Sequence, residues 1–175
     1  GRFDTKIEVP MPDIKGREAL LNFYLQSVVT SAEINLDRLS KLSTNMTGAD
    51  ISDIVNKAVI LAVLGGDKVV RMEHLWEAFD KQLMGPKQSR YYNEKENFTT
   101  AVHETGHALV KYFSESKSAS IHKLTILRRG NALGHTALID NEGLRNQNMQ
   151  DILDSIAMLM GGRVAEEIIF GKKNV

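Results

Sequence analysis

The chain has 175 residues, with 22 Lys plus Arg against 22 Asp plus Glu, 42% hydrophobic residues and no cysteine. That composition supports a packed core, lacks the basic footprint of a nucleic-acid binder, and excludes disulfides, zinc ribbons and thiol nucleophiles. No apolar run approaches the ~20 residues of a membrane span and no signal-peptide pattern opens the chain, so any membrane anchor is expected outside this segment.

Elements follow in chain order. Lys6 to Val9 reads as a short extended stretch punctuated by Pro10 and Pro12, with Asp13 as an N-cap. Leu20, Leu21, Tyr24, Leu25 and Val28 then share one face of a helix expected over Lys15 to Val29. Leu36, Leu39 and Leu42 suggest a short second helix. Thr47 and Asp50 stand at capping-box spacing ahead of Ile51, Ile54, Val55, Ala58, Val59 and Ala62, a third helix that Gly65-Gly66 should stop. A fourth spans Met72 to Met84 with Leu75, Phe79 and Leu83 inward. Leu21, Leu25, Ile54, Val55, Ala58, Phe79 and Leu83 are the expected core of this half.

Gly85-Pro86 ends the block, and the polar run 87–97 reads as a linker, with a boundary near residue 88. A helix is expected from Phe98 to Phe113. Two strands, Leu124–Leu127 and Thr136–Ile139, should form a hairpin through a connection holding Gly130 and Gly134. Met149, Leu153, Ile156 and Met160 mark a further helix, broken or kinked at Gly161-Gly162 and resumed from Arg163 to Phe170. The fold class is mainly α with a small β element.

One spacing carries chemistry. His103-Glu104-Thr105-Gly106-His107 places two imidazoles four residues apart, on one helix face, where both reach one metal ion. Glu104 lies beside them, placed to take a proton from a water that zinc acidifies. With five His and twelve Glu in the chain, the pattern arises by chance in roughly one such chain in a hundred. The flanks Ala101, Val102, Ala108, Leu109 and Val110 suggest that this helix is buried. Zinc enzymes usually use three protein ligands. His122, His135, Glu166 and Glu167 are all candidates for the third, and spacing does not choose among them.

Several stretches together resemble one family. Gly1-Arg2-Phe3-Asp4 looks like the end of the second region of homology of AAA ATPases. Thr47-Gly48-Ala49-Asp50-Ile51 is similar to the segment opening the third helix of their lid. Leu83-Met84-Gly85-Pro86, His103 to Leu109, Arg129 to Gly134 and Gly161 to Gly171 resemble the junction, peptidase helix and following segments of FtsH-type zinc proteases. The junction and the Leu133-Gly134-His135 turn are most like mitochondrial i-AAA proteases.

The resemblance implies a four-helix AAA lid bundle in 1–86, a linker in 87–97 and the first part of a mostly helical, zincin-like peptidase domain with a β-hairpin in 98–175. His103 and His107 match zinc ligands and Glu104 the general base. Glu166 matches a glutamate that orients a ligand histidine without touching the metal. Arg2 matches an arginine finger, and Gly48, Ala49 and Asp50 match a lid segment near the nucleotide. The family's third ligand, an aspartate, is expected beyond Val175. Met46 stands where an aromatic is usual and Arg128 where proline is usual. No Walker A, Walker B or pore-loop segment occurs in the chain, so it is expected not to hydrolyse ATP, and without the third ligand it is expected not to cleave peptides by itself.

The implied parent is a zinc endopeptidase driven by ATP and Mg²⁺ that degrades misfolded or membrane-associated proteins as a homo- or hetero-hexameric ring. The resemblance places it at the mitochondrial inner membrane, the bacterial inner membrane and chloroplast thylakoid being alternatives. A soluble zincin without ATPase coupling and a non-catalytic AAA assembly module are the competing readings.

Overall fold

A computed structural model describes residues 7–88, 93–116, 118–130, 132–140 and 148–172. Within these the protein is mostly helical, with a two-stranded antiparallel sheet, and the chain divides into two compact units, Gly1–Phe79 and Asp80–Val175.

The first unit holds α1 (Ile14–Leu25), α2 (Leu36–Leu42), α3 (Gly48–Leu64) and most of α4 (Met72–Met84). Short polar side chains start the first three. Asp13 accepts from the Gly16 amide, Asn35 from Arg38, and Thr47 and Asp50 close a reciprocal capping box. Residues 7–13 form no regular element, and α1 ends at Leu25 rather than continuing to Val29. Leu21, Leu25, Leu39, Ile51, Ile54, Val55, Ala58, Leu75 and Phe79 meet in one buried cluster, each large side chain worth about 1.5–3 kcal/mol of transfer free energy.

Leu83 is not in that core: it is 58% exposed. The apolar period of α4 runs on past Phe79, but the cluster it serves ends there. Met46, by contrast, is buried in it. Arg17 is buried too, its guanidinium donating to the carbonyls of Ser40 and Pro12, both at 3.0 Å. The loops close through a parallel bridge of Thr30 with Val70.

The second unit contains α5 (Glu94–Phe113), β1 (Ala119–Thr125), β2 (His135–Asp140) and α6 (Met149–Phe170). Helix α5 begins four residues before Phe98, because Asn93 caps it by accepting from the Glu96 amide; residues 94–97 are therefore helical rather than linker. β1 pairs with β2 from Ala119↔Asp140 to Thr125↔His135, with a bulge at His122 between Ile121 and Lys123. The first strand thus ends at Thr125, two residues before Leu127.

Helix α6 is continuous where a break at Gly161-Gly162 was expected. Tertiary packing is the reason. A Cβ on Gly161 would stand 2.7 Å from the Gly106 carbonyl oxygen and one on Gly106 2.7 Å from the Ala165 Cβ. These glycines permit a close crossing of α5 and α6 that repays their weak helix propensity. α5 is less enclosed than its apolar flanks suggest. Ala101, Val102, Ala108 and Val110 are half-buried and Leu109 is exposed; the buried residues are Thr100, Glu104 and Gly106.

Candidate metal centre

The α5–α6 crossing sets the site. His103 and His107 lie one turn apart on α5, and their Nε2 atoms are 3.0 Å apart. Each Nδ1 is committed elsewhere: that of His103 to Glu166 Oε1 at 2.5 Å, and that of His107 to the Met158 carbonyl at 2.7 Å. A carboxylate and a carbonyl only accept, so both imidazoles carry their proton on Nδ1 and leave a lone pair on Nε2. The Gly162 amide, 3.3 Å from His107 Nδ1, cannot then donate to it; the shorter carbonyl bond decides the tautomer.

Two lone pairs facing each other repel unless a cation lies between them. Nitrogens about 2.0–2.1 Å from a tetrahedral zinc stand about 3.3 Å from each other, within a few tenths of an ångström of the observed spacing. Gly162 supplies the room. A Cβ there would fall 2.7 Å from both Nε2 atoms, in the space where an ion would sit. Donor type, tautomer, spacing and cradle all fit zinc. His103 and His107 are the residues that can hold it, their rings oriented by Glu166 and the Met158 carbonyl.

Glu104 is 8% exposed. Thr136 on β2 donates to its Oε2 at 2.8 Å and also lies 3.1 Å from its main-chain oxygen. Gly134 makes that approach possible, since a Cβ there would stand 2.7 Å from the Glu104 Cγ and 2.8 Å from Oε1. A cavity of about 230 Å³ opens beside it, lined by Glu104, His107, Gly134, His135, Thr136, Met158 and Leu159. It brings a carboxylate beside a histidine of the pair, a combination that metal-assisted hydrolysis can use.

The remaining candidates fall elsewhere. Glu167 pairs with Arg163 at 3.1 Å, and His122 sits at the β1 bulge. Among the described residues neither joins a three-ligand group with His103 and His107. His135 lines the cavity, and Glu166 meets the far nitrogen of His103. Gly48, Ala49 and Asp50 form the first turn of α3, where the Asp50 carboxylate accepts from the Thr47 amide at 2.9 Å. Arg2 lies outside the described residues.

Asp67, Glu73 and His74 could also surround a metal. There, however, His74 Nδ1 accepts from the Arg71 amide at 3.0 Å and Nε2 faces Asp67 at 3.2 Å, so both ring nitrogens are occupied. Thr136, Gly134, Gly162 and the Met158 carbonyl were not legible as site groups from spacing, because their roles depend on what crosses α5. No described helix is long and apolar enough to cross a membrane.

Residues 90–175 match the model of peptidase family M41. Over its whole length the chain is 42% identical to the ATP-dependent zinc metalloprotease YME1 homologs of Schistosoma mansoni and Caenorhabditis elegans, covering 26% and 24% of those proteins. It is 37% identical to the ATP-dependent zinc metalloprotease FtsH of Caulobacter vibrioides, covering 28% of it. The chain thus spans about a quarter of the length of these relatives. Matched along its full length to zinc proteases of both types, and to the M41 peptidase family across residues 90–175, the chain belongs to the FtsH-type family of ATP-dependent zinc metalloproteases.

Proposed function

We propose that the protein to which this chain belongs is an ATP-dependent zinc endopeptidase, with His103 and His107 as metal ligands and Glu104 as general base. The observation that carries the reading is the facing pair of Nε2 lone pairs, 3.0 Å apart across the space that Gly162 leaves open. Bound zinc supplies Lewis acidity, acidifying water and polarising a peptide carbonyl. Glu104, held through Oε2 by Thr136, takes the water proton at Oε1 and passes it to the leaving amine. Glu166 fixes the His103 ring and raises its basicity as a ligand. A third protein ligand completes the set, an aspartate in a segment after residue 175.

The reading extends to the first unit, whose four helices around one core fit a AAA lid. Residues 1–86 would serve the ATPase, the segment after it up to Asn93 would join it to the peptidase domain, and α5 would begin that domain. Arg2 would act as an arginine finger on a neighbouring subunit's nucleotide, and Gly48–Asp50 would lie near the nucleotide of their own subunit. A hexameric ring using ATP and Mg²⁺ to unfold misfolded or membrane-associated proteins follows, anchored in the mitochondrial inner membrane as the YME1-type relatives suggest.

The test uses the full-length protein with ATP, Mg²⁺ and an unfolded protein substrate. His103→Ala and His107→Ala should each lose zinc and proteolysis while retaining ATPase activity. Proteolysis that survives zinc removal, or either substitution, would overturn the assignment.

A further inference from the structure

Arg129 is the largest fully buried side chain among the described residues, and it lies in the turn that joins β1 to β2. Its Nη2 is 3.4 Å from Asp80 Oδ2, and its Nη1 donates to the Gly85 carbonyl at 3.4 Å. Asp80 is itself buried and takes a second cation, Lys123 from β1, at 2.5 Å. The main chain is held as well. Arg129 and Ala132 exchange amide bonds at 3.3 and 2.9 Å, the Gln88 amide donates to the Arg128 carbonyl at 2.9 Å, and Lys87 bridges to Arg129. Gly130, at φ +52°, packs so closely that a Cβ would stand 2.7 Å from the Met84 carbonyl oxygen.

Burying a guanidinium is costly, and a buried ion pair stabilises a fold little more than apolar residues of the same shape would. What such a pair supplies is a defined geometry. Here that geometry is inherited by Gly134 and Thr136, four and six residues after Gly130, which give Glu104 its space and its hydrogen bond. We propose that Arg129 is a positioning residue for proteolysis: clamped to Asp80 and Gly85, it fixes Arg128 to Gly130 and Ala132 and thereby the register at which Gly134 and Thr136 hold the Glu104 carboxylate. This rests on Glu104 being the base.

The test is Arg129→Met in the full-length, zinc-loaded protein, assayed on a short unfolded fluorogenic peptide. Asp80 keeps Lys123 in that variant, so no carboxylate is left buried alone. A catalytic group displaced by a fraction of an ångström should lower kcat by about 10- to 100-fold, with KM, zinc content and ATPase rate unchanged. Amide exchange at Gly134 to Thr136 should accelerate by about tenfold or more, reporting loosened local opening, and Arg129→Lys should restore part of kcat. Should Arg129→Met fail to assemble, Asp80→Asn carries the same readouts. Parent-like kcat, parent-like exchange at 134–136, or parallel loss of zinc or ATPase activity would each overturn the clamp. Glu104→Gln is run beside it. If that variant kept turnover, the base assignment would fall, while the exchange data would still report whether Arg129 holds the turn.

Discussion

Gly106 and Gly161 meet backbone to backbone where α5 crosses α6: a Cβ on Gly161 would sit 2.7 Å from the Gly106 carbonyl oxygen. The neighbouring Gly162 faces the histidines instead, so of two adjacent glycines one serves helix packing and the other leaves room beside the imidazoles. Gly161→Ala gains up to about 1 kcal/mol of helix propensity but forces apart two backbones that cannot give locally. It should destabilise the second unit by about 1–3 kcal/mol net, read as a lower denaturation midpoint. Gly162→Ala meets only the tips of His103 and His107. It should leave stability near that of the parent and lower zinc affinity by about 100-fold or more, because its methyl occupies the ion's space. Equal zinc affinity in parent and Gly162→Ala would show that the ion sits elsewhere.

The first unit has a separable test. Val55 is 3% exposed within the α1–α4 core, among apolar side chains. Val55→Asp should cost more than about 3 kcal/mol, enough to unfold the unit at moderate temperature. A variant melting at the parent temperature would contradict the packing described here.

Most of the elements were legible because their signals are local. Asp13, Thr47 with Asp50, and Gly65 mark helix ends through their own side chains or lack of one, and the period of Ile51 to Ala62 predicts its buried face. The meeting of His103 with His107 was legible for the same reason, since i and i+4 share a helix face in any fold. The errors came from tertiary context. Leu83 keeps the period but outlasts the core it would serve. Gly161-Gly162 looks like a helix breaker, and is instead where another helix comes close. Thr136 looks like a strand threonine until Glu104 is seen beneath it. Arg129 stands in a stretch that carries the family resemblance but gives no sign of its burial, because a buried arginine is defined by its partners, and Asp80 is 49 positions away.

Asp151 gives a pH test of how α6 is anchored. Its carboxyl is held below the ordinary value chiefly by the Ser116 hydroxyl, 2.6 Å from Oδ1, and then by the Asn148 amide, against an opposing effect of burial and with the charge of Lys111 contributing least. A carboxyl whose folded pKa is depressed adds stability that is fully present above its unfolded value, about 3.9. That stability drains away as pH falls through the lower folded value. Ser116→Ala removes the largest cause. It should therefore destabilise the second unit more near neutral pH than in acid below the folded pKa, where Asp151 is protonated in both states. Denaturant midpoints displaced equally at the two pH values would mean that the Ser116 bond stabilises by some route other than the carboxylate charge.

Glu166 and Glu104 should fail in opposite ways, and that contrast tests the division of labour at the metal. Glu166 touches His103 through Nδ1, the nitrogen that faces away from its partner histidine. Glu166→Gln preserves shape and can still accept through its amide oxygen, but it removes the charge that makes Nε2 a stronger donor. Zinc affinity should fall by about 10- to 100-fold, and saturating zinc should restore most turnover. Glu104 reaches neither Nε2 as a ligand: its Oε2 is held by Thr136 and its body lies against Gly134. Glu104→Gln should bind zinc as the parent does and lose about 10²- to 10⁴-fold in kcat at any zinc concentration, because a carboxamide cannot take the proton. Chelator-competition titrations paired with peptide cleavage in the full-length protein separate the two. If Glu166→Gln kept its zinc and lost turnover, Glu166 would belong to the chemistry, and the picture of a ligand-orienting carboxylate would have to be replaced.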